Sequence, residues 1–266
     1  MNQPLACGMI ASDLDRTLLR NDKTISAYTV SVLKRCMERG IKVLFATARS
    51  EKSSERFTSQ IQPDGIISNG GAMARCGEKI VYERYIPCER ANELIFRCLK
   101  TKGMGYITAD TDRGYFANHP VDPNHPAWRD YSHQLYTDFA NGVCGKVYKL
   151  TIDMPDRQIA GEIGCFFPDL SMIGFSGEGW YRFAHREALK ERALAAATNF
   201  FNIDPAAIAA FGDDHNDTGM LCFSGRGVAV SNAVPEAKAA AVYLCGSNDE
   251  DGPAKWIEGN VLDPAY

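Results

Sequence analysis

The chain has 266 residues, of which 45% are hydrophobic and 23% are charged, and its formal net charge is -4. This length and composition are typical of a globular protein with one large domain or two modest ones. The weakly acidic balance gives no electrostatic reason to expect a nucleic acid or an anionic membrane surface as a partner.

The nine cysteines are scattered along the chain, and no two of them form a C-x-x-C pair. This arrangement is typical of reduced thiols and not of a disulfide framework or a zinc site. The apolar stretch Leu5–Ala11 is too short to span a membrane, and no basic segment precedes it. We therefore expect a cytoplasmic protein that does not associate with membranes.

Residues 1–84 alternate short apolar runs with amphipathic or polar segments. Strands are predicted at Cys7–Ser12, Lys42–Ala48 and Gly65–Ser68, and helices from about Ser26 to Gly40 and over Glu51–Gln60. The strands are apolar throughout and do not alternate with polar residues, which indicates a parallel sheet that is covered on both faces.

Residues 85–183 follow a different pattern, with pairs of short strands around turn-forming sequences such as "DTDRG" and "SGEG". Helices are predicted at Cys88–Lys102, near Trp128 and at Pro155–Phe166, and strands at Tyr106–Ala109, Tyr115–Asn118, Val147–Ile152, Met172–Phe175 and Trp180–Phe183. Because hairpins are antiparallel connections, we expect an inserted α+β domain.

Residues 184–266 return to the first pattern. Helices are predicted at Arg186–Asn202, near Asn216 and at Pro235–Ala241, and strands at Ile208–Phe211, Gly227–Val230 and Val242–Cys245. We therefore expect residues 1–84 and 184–266 to form one discontinuous α/β domain, a Rossmann-like parallel sheet with helices on both faces.

Two acids, Asp13 and Asp15 of "DLDRTLL", follow the first predicted strand. Two other D-x-D triplets occur in turn-like stretches, so the spacing alone is not specific. Only this pair lies beyond the carboxyl end of a buried strand, where α/β folds bind ligands. Two carboxylates about 4 Å apart repel by about 4 kcal/mol at an effective dielectric constant of about 20. A divalent cation would compensate for this repulsion, and oxygen ligands suit magnesium.

Three further segments place chemically useful side chains at strand ends or at a helix start. They are "FATAR" with Thr47, "ALKERAL" with Lys190, and "FGDDHND" with Asp213, Asp214 and Asp217. Taken singly, each has an ordinary interpretation as a helix cap, an exposed helix lysine or a group of loop acids. Their occurrence at the same edge of one predicted sheet favours a shared site instead.

The ordered set "DLDRTLL", "FATAR", Lys190 and "GDDHND" resembles the haloacid dehalogenase superfamily of phosphohydrolases. The segments "IISNGGA", "GVAVSNAVPEAKAAA" and "SNDEDGPAKWIE" are similar to its Cof-type branch. The resemblance implies that residues 85–183 are the large α+β cap, the type II cap, of this branch. It also implies a phosphoric monoester hydrolase that uses Mg²⁺.

The resemblance assigns roles to the four acids of the core. Asp13 matches the nucleophile, which forms an aspartyl phosphate, and is also a magnesium ligand. Asp15 matches the general acid and base, and its backbone carbonyl is a further magnesium ligand. Asp213 matches the other carboxylate ligand, and Asp217 matches the residue that holds the waters of the metal.

Five polar residues match positions that contact phosphate or substrate. Thr47, Lys190 and Asn216 match groups that bind the oxygens of the transferring phosphoryl group. Asn69 and Asn232 lie in the other signature loops of the family, where either one could contact phosphate or substrate.

Arg16 departs from the family pattern, since this position usually holds glycine. We expect its side chain either to turn to solvent or to point toward the cap and help to bind an anionic substrate. The lead-in "AHREA" before Lys190 also departs from the usual sequence of the branch.

The leading hypothesis is a magnesium-dependent phosphatase that acts on a small phosphorylated metabolite such as a sugar phosphate. A phosphomutase or phosphotransferase would use the same aspartyl phosphate, so the motifs do not separate it from a hydrolase. A third alternative is a module that binds a phosphorylated metabolite without catalysis. The sequence does not determine the substrate or the oligomeric state.

Overall fold

The computed structural model describes residues 6–119, 133–154, 156–174 and 179–263. The helix predicted near Trp128 lies outside these residues, as do Pro155, Phe175 and most of "SGEG". The chain divides into two compact units, which are Met1–Glu83 with Leu189–Tyr266, and Arg84–Ala188.

The described residues form two groups of elements, strands and helices. The strands are β1 (Met9–Ser12), β2 (Lys42–Ala46), β3 (Gly65–Ser68), β4 (Met73–Cys76), β5 (Lys79–Glu83), β6 (Ile107–Thr111), β7 (Gly114–Ala117), β8 (Leu135–Tyr136), β9 (Val147–Asp153), β10 (Leu170–Gly174), β11 (Trp180–His185), β12 (Ile208–Gly212), β13 (Arg226–Val230) and β14 (Tyr243–Cys245). The helices are α1 (Ala27–Glu38), α2 (Glu51–Ile61), α3 (Cys88–Lys100), α4 (Arg157–Phe166), α5 (Lys190–Phe201), α6 (Thr218–Phe223), α7 (Pro235–Ala240) and α8 (Gly252–Ile257).

The first unit contains an eight-stranded sheet in the order β14-β13-β12-β1-β2-β3-β4-β5. The six strands from β14 to β3 are parallel, and β4 and β5 add an antiparallel edge. The parallel strands were predicted, whereas the hairpin of β4 and β5 was not. Its turn lies at Gly77, whose φ of 52° is in the region that favours glycine.

Each face of this sheet has its own apolar core, because side chains alternate along every strand. In β1, Ile10 packs with the cluster that includes residues of α1 and α8. Its neighbours Met9 and Ala11 pack with the cluster that includes residues of α5 and α6. A sheet with helices on both faces explains the continuous apolar strands of the sequence.

The helices begin where the sequence supplies caps. Ser26 accepts a hydrogen bond from Thr29 N at 3.0 Å, which satisfies a free amide of the first turn of α1. Ser50 does the same for Ser53 N in α2. The predicted helix Arg186–Asn202 is wrong at its start, because Ala188 N donates to His185 O in a turn and Leu189 is extended. Helix α5 therefore begins at Lys190.

The second unit contains a six-stranded sheet in the order β10-β11-β9-β6-β7-β8. All of its pairings are antiparallel except that of β7 with β8. One face packs against α3 and α4 through a core that includes Leu94, Ile163, Leu150 and Phe183. The predicted fold class, an α/β core with an inserted α+β domain, is confirmed.

Among the residues that the structure describes, none of the helices combines the length and apolar character needed to cross a membrane.

Two leucines of the second unit test this core. Leu150→Ala removes a fully buried side chain of β9 and is expected to lower the free energy of unfolding by about 2–5 kcal/mol. Leu99→Ala is the matched control, since Leu99 is 43% exposed on α3, and we expect a loss of about 1 kcal/mol or less. Urea unfolding followed by circular dichroism measures both losses. Equal losses would contradict the placement of Leu150.

Candidate active site

The carboxyl ends of the parallel strands carry the residues that the motifs singled out. Asp13 follows β1, Thr47 follows β2, Asn69 follows β3, Asp213 follows β12, and Lys190 is the first residue of α5. Because β12, β1, β2 and β3 are adjacent and parallel, these ends share one edge of the sheet.

Three carboxylates, those of Asp13, Asp213 and Asp217, form a buried cluster in which one oxygen of each lies within 4.8 Å of the others. The Nζ atom of Lys190, also buried, lies 2.7 Å from Asp13 Oδ1 and 2.6 Å from Asp217 Oδ1. One ammonium group therefore faces three carboxylates. Lys190 balances one of the three negative charges, and the described residues supply no further buried cation in contact with the other two.

The carboxylate of Asp217 is fully engaged in holding the site together. Its Oδ1 accepts from Lys190, and its Oδ2 accepts from the backbone N–H groups of Asp213 and Asp214 at 2.9 and 3.1 Å. Asp217 therefore positions the loop after β12 and the lysine at the same time.

Two glycines allow these groups to approach each other. At Gly212 a Cβ atom would lie 2.4 Å from Cβ of Asp217, so only glycine leaves room for that side chain. At Gly71, with φ +99°, a Cβ atom would lie 2.2 Å from the carbonyl carbon of Leu189. Gly71 therefore lets α5 begin directly against the loop after β3, and this places Lys190 in the cluster.

Asp213 has two neighbours from the loop after β1. Thr17 Oγ1 donates to Asp213 Oδ1 at 3.0 Å. Arg16 Nε lies 3.6 Å from Oδ2, although the Arg16 side chain is 60% exposed. The Arg16 side chain therefore lies beside Asp213 with most of its surface exposed. Its φ of 62° lies in the left-handed region, which explains why glycine suits this position.

Asp15 lies in a different environment from Asp13, and its carboxylate does not belong to the three-acid cluster of the described residues. Arg49 donates Nε to Asp15 Oδ2 at 2.6 Å and Nη2 to Oδ1 at 2.9 Å. Lys23 Nζ donates to Oδ1 at 2.8 Å. The two acids of one D-x-D triplet are therefore held by separate cations.

The pKa values follow from these surroundings. Burial and the neighbouring carboxylates raise the pKa of Asp13 well above its ordinary value, against the charge of Lys190. Burial and the charge of Asp217 raise the pKa of Asp213 to about 7. Burial alone would raise the pKa of Asp15, but Arg49 and Lys23 lower it to about 2. Asp15 is therefore a carboxylate at neutral pH.

Lys190 remains protonated inside this site. Burial by itself would lower the pKa of its ammonium group, but the charges of Asp13 and Asp217 raise it above the ordinary value of lysine. The pair of hydrogen bonds fixes the ammonium group in the middle of the cluster.

The donor set fits a divalent cation. Asp13 Oδ2 accepts no hydrogen bond from the described residues, and Asp213 Oδ2 is approached by the exposed Arg16. Small hard cations take carboxylate oxygens together with several waters. A charge of two would balance the two carboxylates for which Lys190 supplies no counterpart.

The remaining predicted residues lie around this cluster. Thr47 is buried, and its Oγ1 accepts from Arg49 N at 3.1 Å. Asn69 is buried with φ 52°, and its Oδ1 accepts no hydrogen bond among the described residues. Asn216 is half-buried in the short 3₁₀ helix that ends at Asp217.

Asn232 connects two loops instead of presenting a free amide. Its Nδ2 donates to Arg16 O at 2.8 Å, and its Oδ1 accepts from Asn248 N at 3.1 Å. Both ends of the amide are therefore used within the protein.

Sequence reasoning missed three contacts of the site, those of Thr17, Lys23 and Arg49. Thr17 and Arg49 lie inside the quoted motifs "DLDRTLL" and "FATAR". Their polar side chains within strand-end motifs are the sequence signal that could have indicated a contact in the site. Lys23 had no such signal, because it reaches Asp15 only through the turn between β1 and α1.

Comparisons with known proteins agree on one family. The family model described as haloacid dehalogenase-like hydrolase matches residues 10–257. The chain is 25% identical to the 5-amino-6-(5-phospho-D-ribitylamino)uracil phosphatase YitU of Bacillus subtilis, over 94% of this chain and 96% of that protein. It is also 26% identical to YwtE of B. subtilis, another 5-amino-6-(5-phospho-D-ribitylamino)uracil phosphatase, over 94% of this chain and 96% of that protein.

Solved structures share the fold over nearly the whole length. A haloacid dehalogenase-like hydrolase from Bacteroides thetaiotaomicron superimposes with a TM-score of 0.82 at 24% identity and covers 95% of this chain and 98% of its own. The HAD subclass IIB sugar phosphatase BT4131 gives a TM-score of 0.81 at 22% identity, over 94% and 97% of the two chains.

A pair of glycines tests the packing that places Lys190. Gly71→Ala is expected to destabilise the protein more than Gly77→Ala, because both positions have positive φ but only Gly71 has backbone atoms where the Cβ would lie. The strain is about 1–2 kcal/mol at the left-handed φ of 52° of Gly77, and at Gly71 the less favourable φ of 99° and the clash with the start of α5 both add to the loss. Urea unfolding gives both values, and equal losses would refute the close approach.

Proposed function

The chain belongs to the haloacid dehalogenase-like hydrolases and is a phosphatase of that family, and we propose that it hydrolyses a small phosphorylated metabolite with Mg²⁺ through an aspartyl phosphate on Asp13. The observation that carries this proposal is the contact of Lys190 with Asp13 and Asp217 at 2.7 and 2.6 Å. It fixes one oxygen of Asp13 and leaves the other free of hydrogen bonds from the described residues.

Asp13 is the nucleophile in this proposal. It attacks phosphorus, the bond from phosphorus to the leaving oxygen breaks, and the phosphoryl group passes to the carboxylate. Lys190, Thr47, Asn69 and Asn216 bind the phosphoryl oxygens, whose negative charge needs donors in this acidic surrounding.

Asp15 transfers the protons. It protonates the leaving oxygen in the first half of the reaction and takes a proton from the attacking water in the second half. Its contacts with Arg49 and Lys23 lower its pKa to about 2, so the described arrangement holds the form that accepts a proton. Donation in the first half requires the carboxylate to separate from these cations first, so that its pKa rises and it takes up a proton from water.

In this proposal the carboxylates of Asp13 and Asp213 and the backbone carbonyl of Asp15 would hold Mg²⁺, which would offset charge on the phosphoryl group and on the acidic cluster. Asp217 would hold the waters of the ion from its fixed position. The exposed side chain of Arg16 lies beside Asp213, one of these proposed metal ligands.

The substrate class rests on the relatives. YitU and YwtE are named for a small phosphorylated metabolite with a phosphoribityl group. We propose that the second unit, with boundaries near the predicted 85–183, serves as the cap that selects the leaving group. The proposed location is the cytoplasm, where thiols such as the nine free cysteines stay reduced.

Asp13→Asn is expected to lower phosphate release from a panel of phosphorylated sugars, nucleotides and cofactors by about 10³-fold or more, because an amide oxygen is a poor nucleophile. Asp249→Asn is the control, since Asp249 is an exposed acid of another D-x-D triplet. Retained activity in Asp13→Asn would reject the proposed nucleophile. Release of inorganic phosphate from one substrate, without an acceptor or a bisphosphate, separates hydrolysis from mutase or transferase activity.

Asp213→Asn is expected to raise the Mg²⁺ concentration for half-maximal activity by about 100-fold or more, because a direct ligand loses its charge. Asp214→Asn is its matched control. The Asp214 side chain is adjacent in sequence, accepts a hydrogen bond from His215 N and lies outside the acidic cluster. Titration of the activity with Mg²⁺ compares the two variants. A similar Mg²⁺ requirement in both would remove Asp213 from the metal site.

A further inference from the structure

The turn after β1 holds an arginine in a backbone conformation that favours glycine. Arg16 has a φ of 62°, in the left-handed region, where a side chain with a Cβ atom is strained. Contacts from outside the residue maintain this conformation. Asn232 Nδ2 donates to Arg16 O at 2.8 Å, and Leu19 N donates to Leu14 O at 2.7 Å across the same turn. Since glycine would suit this backbone better, the reason for an arginine lies in the contacts of its side chain.

The side chain of Arg16 reaches a buried carboxylate from the solvent side. Its Nε lies 3.6 Å from Asp213 Oδ2, and the exposed fractions of the two side chains are 60% and 6%. Its Nη2 lies 3.4 Å from Asn232 O, and the described residues give the guanidinium group no further partner. The guanidinium group therefore lies where the carboxylate of Asp213 is nearest to solvent.

Each of the other cations of the site contacts a different carboxylate. These contacts are those of Lys190 with Asp13 and Asp217, and those of Lys23 and Arg49 with Asp15. Within the part of the chain that the structure describes, Arg16 is therefore the one cation in ion-pair contact with Asp213. The positive charge nearest to this acid belongs to a residue that can move into solvent.

Stability does not explain the pairing of Arg16 with Asp213. An ion pair that involves an exposed arginine contributes little, because water screens the charge and the long side chain loses rotamer freedom. The left-handed backbone of Arg16 is unfavourable in addition. Strained residues of this kind occur near functional sites, where the strain is retained for what the side chain does. The contact therefore points to an effect on the chemistry of Asp213.

Asp213 is also one of the proposed metal ligands. Its Oδ1 accepts from Thr17 at 3.0 Å, and its Oδ2 faces Arg16. A divalent cation that binds this carboxylate would share it with the guanidinium group. The two positive charges would lie close together and repel each other, and water and salt would reduce this repulsion only in part.

We propose that Arg16 is a competing counter-ion of Asp213 that weakens the binding of Mg²⁺ and so sets the Mg²⁺ concentration that the site requires. The inference rests on the proposed function, because it takes Asp213 as a metal ligand. Glycine at this position would supply no charge, so the arginine distinguishes this chain from the usual pattern of its family. The exposure of Arg16 allows its side chain to turn away when the carboxylate takes a metal.

The test measures the binding of Mn²⁺ by electron paramagnetic resonance, which counts the unbound ion without substrate or turnover. Mn²⁺ takes the same carboxylate, carbonyl and water ligands as Mg²⁺. Arg16→Asn removes the charge and tolerates the left-handed backbone, and we expect its Kd to be about tenfold lower than that of the native protein. Arg16→Lys retains the charge, and its Kd is expected to stay within about threefold of the native value. If Arg16→Asn does not fold, Arg16→Gly removes the same charge and is expected to give the same decrease.

Lys23→Asn is the matched control. Lys23 belongs to the same turn and has a similar φ of 61°, but its ammonium group contacts Asp15 and not Asp213. The control therefore loses one charge and the same backbone strain at a different carboxylate. We expect a smaller change of Kd than in Arg16→Asn. An equal change in the two variants would overturn the proposal, because the effect would then be one of net charge and not of the contact with Asp213.

Salt separates a charge effect from a rearrangement of the turn. The ratio of the Kd values of the native protein and Arg16→Asn is expected to fall toward one between about 0.02 and 0.5 M KCl, because salt screens an exposed charge. A ratio that does not depend on salt, or a ratio of one at low salt, would overturn the role of Arg16.

Asp213→Asn distinguishes the failure of this inference from that of the proposed function. We expect this variant to bind Mn²⁺ about 100-fold more weakly or worse, because a charged ligand is lost. If it binds Mn²⁺ like the native protein, the metal site of the proposed function is rejected, and the role of Arg16 is rejected with it. If Asp213→Asn weakens binding but the neutral Arg16 variants do not strengthen it, only the role of Arg16 is rejected.

Discussion

The burial of three carboxylates around one ammonium group is the constraint on which the core of this protein depends. Asp13, Asp213 and Asp217 come from two strand ends and a 3₁₀ turn, and Lys190 enters as the first residue of a helix. Such a cluster is unfavourable without close pairing. The neighbouring loops supply that pairing through backbone amides on Asp217, and Gly212 leaves room for its side chain.

The second acid of the D-x-D triplet shows how one short motif contains two chemical environments. Asp13 shares a cation with another carboxylate, and its pKa is raised, whereas Asp15 has Arg49 and Lys23, and its pKa is lowered. A pair of titratable groups with diverging pKa values is typical of sites that divide acid, base and nucleophile between carboxylates. The division here arises from the partners and not from the spacing of the two acids.

The first unit buries negative charge that its described residues do not balance. The core holds more carboxylate than its lysine compensates, which fits a divalent cation. Unpaired buried charge is destabilising, so a ligand of the opposite sign is its natural complement.

The sequence by itself determined the parallel strands, the inserted α+β domain and the strand-end acids, because apolar periodicity and local motifs record burial and chain order. Tertiary structure decided the rest. Helix α5 starts at Lys190 and not at Arg186, because the turn at His185 and Gly71 define where the helix meets the sheet. The contact of Lys23 with Asp15 depends on the turn that brings the two residues together. The burial of Arg182 Nε and Nη1 without a hydrogen-bond partner among the described residues depends on how the strands pack. Such contacts have no local signal, since charge pairing and burial are properties of the assembled fold.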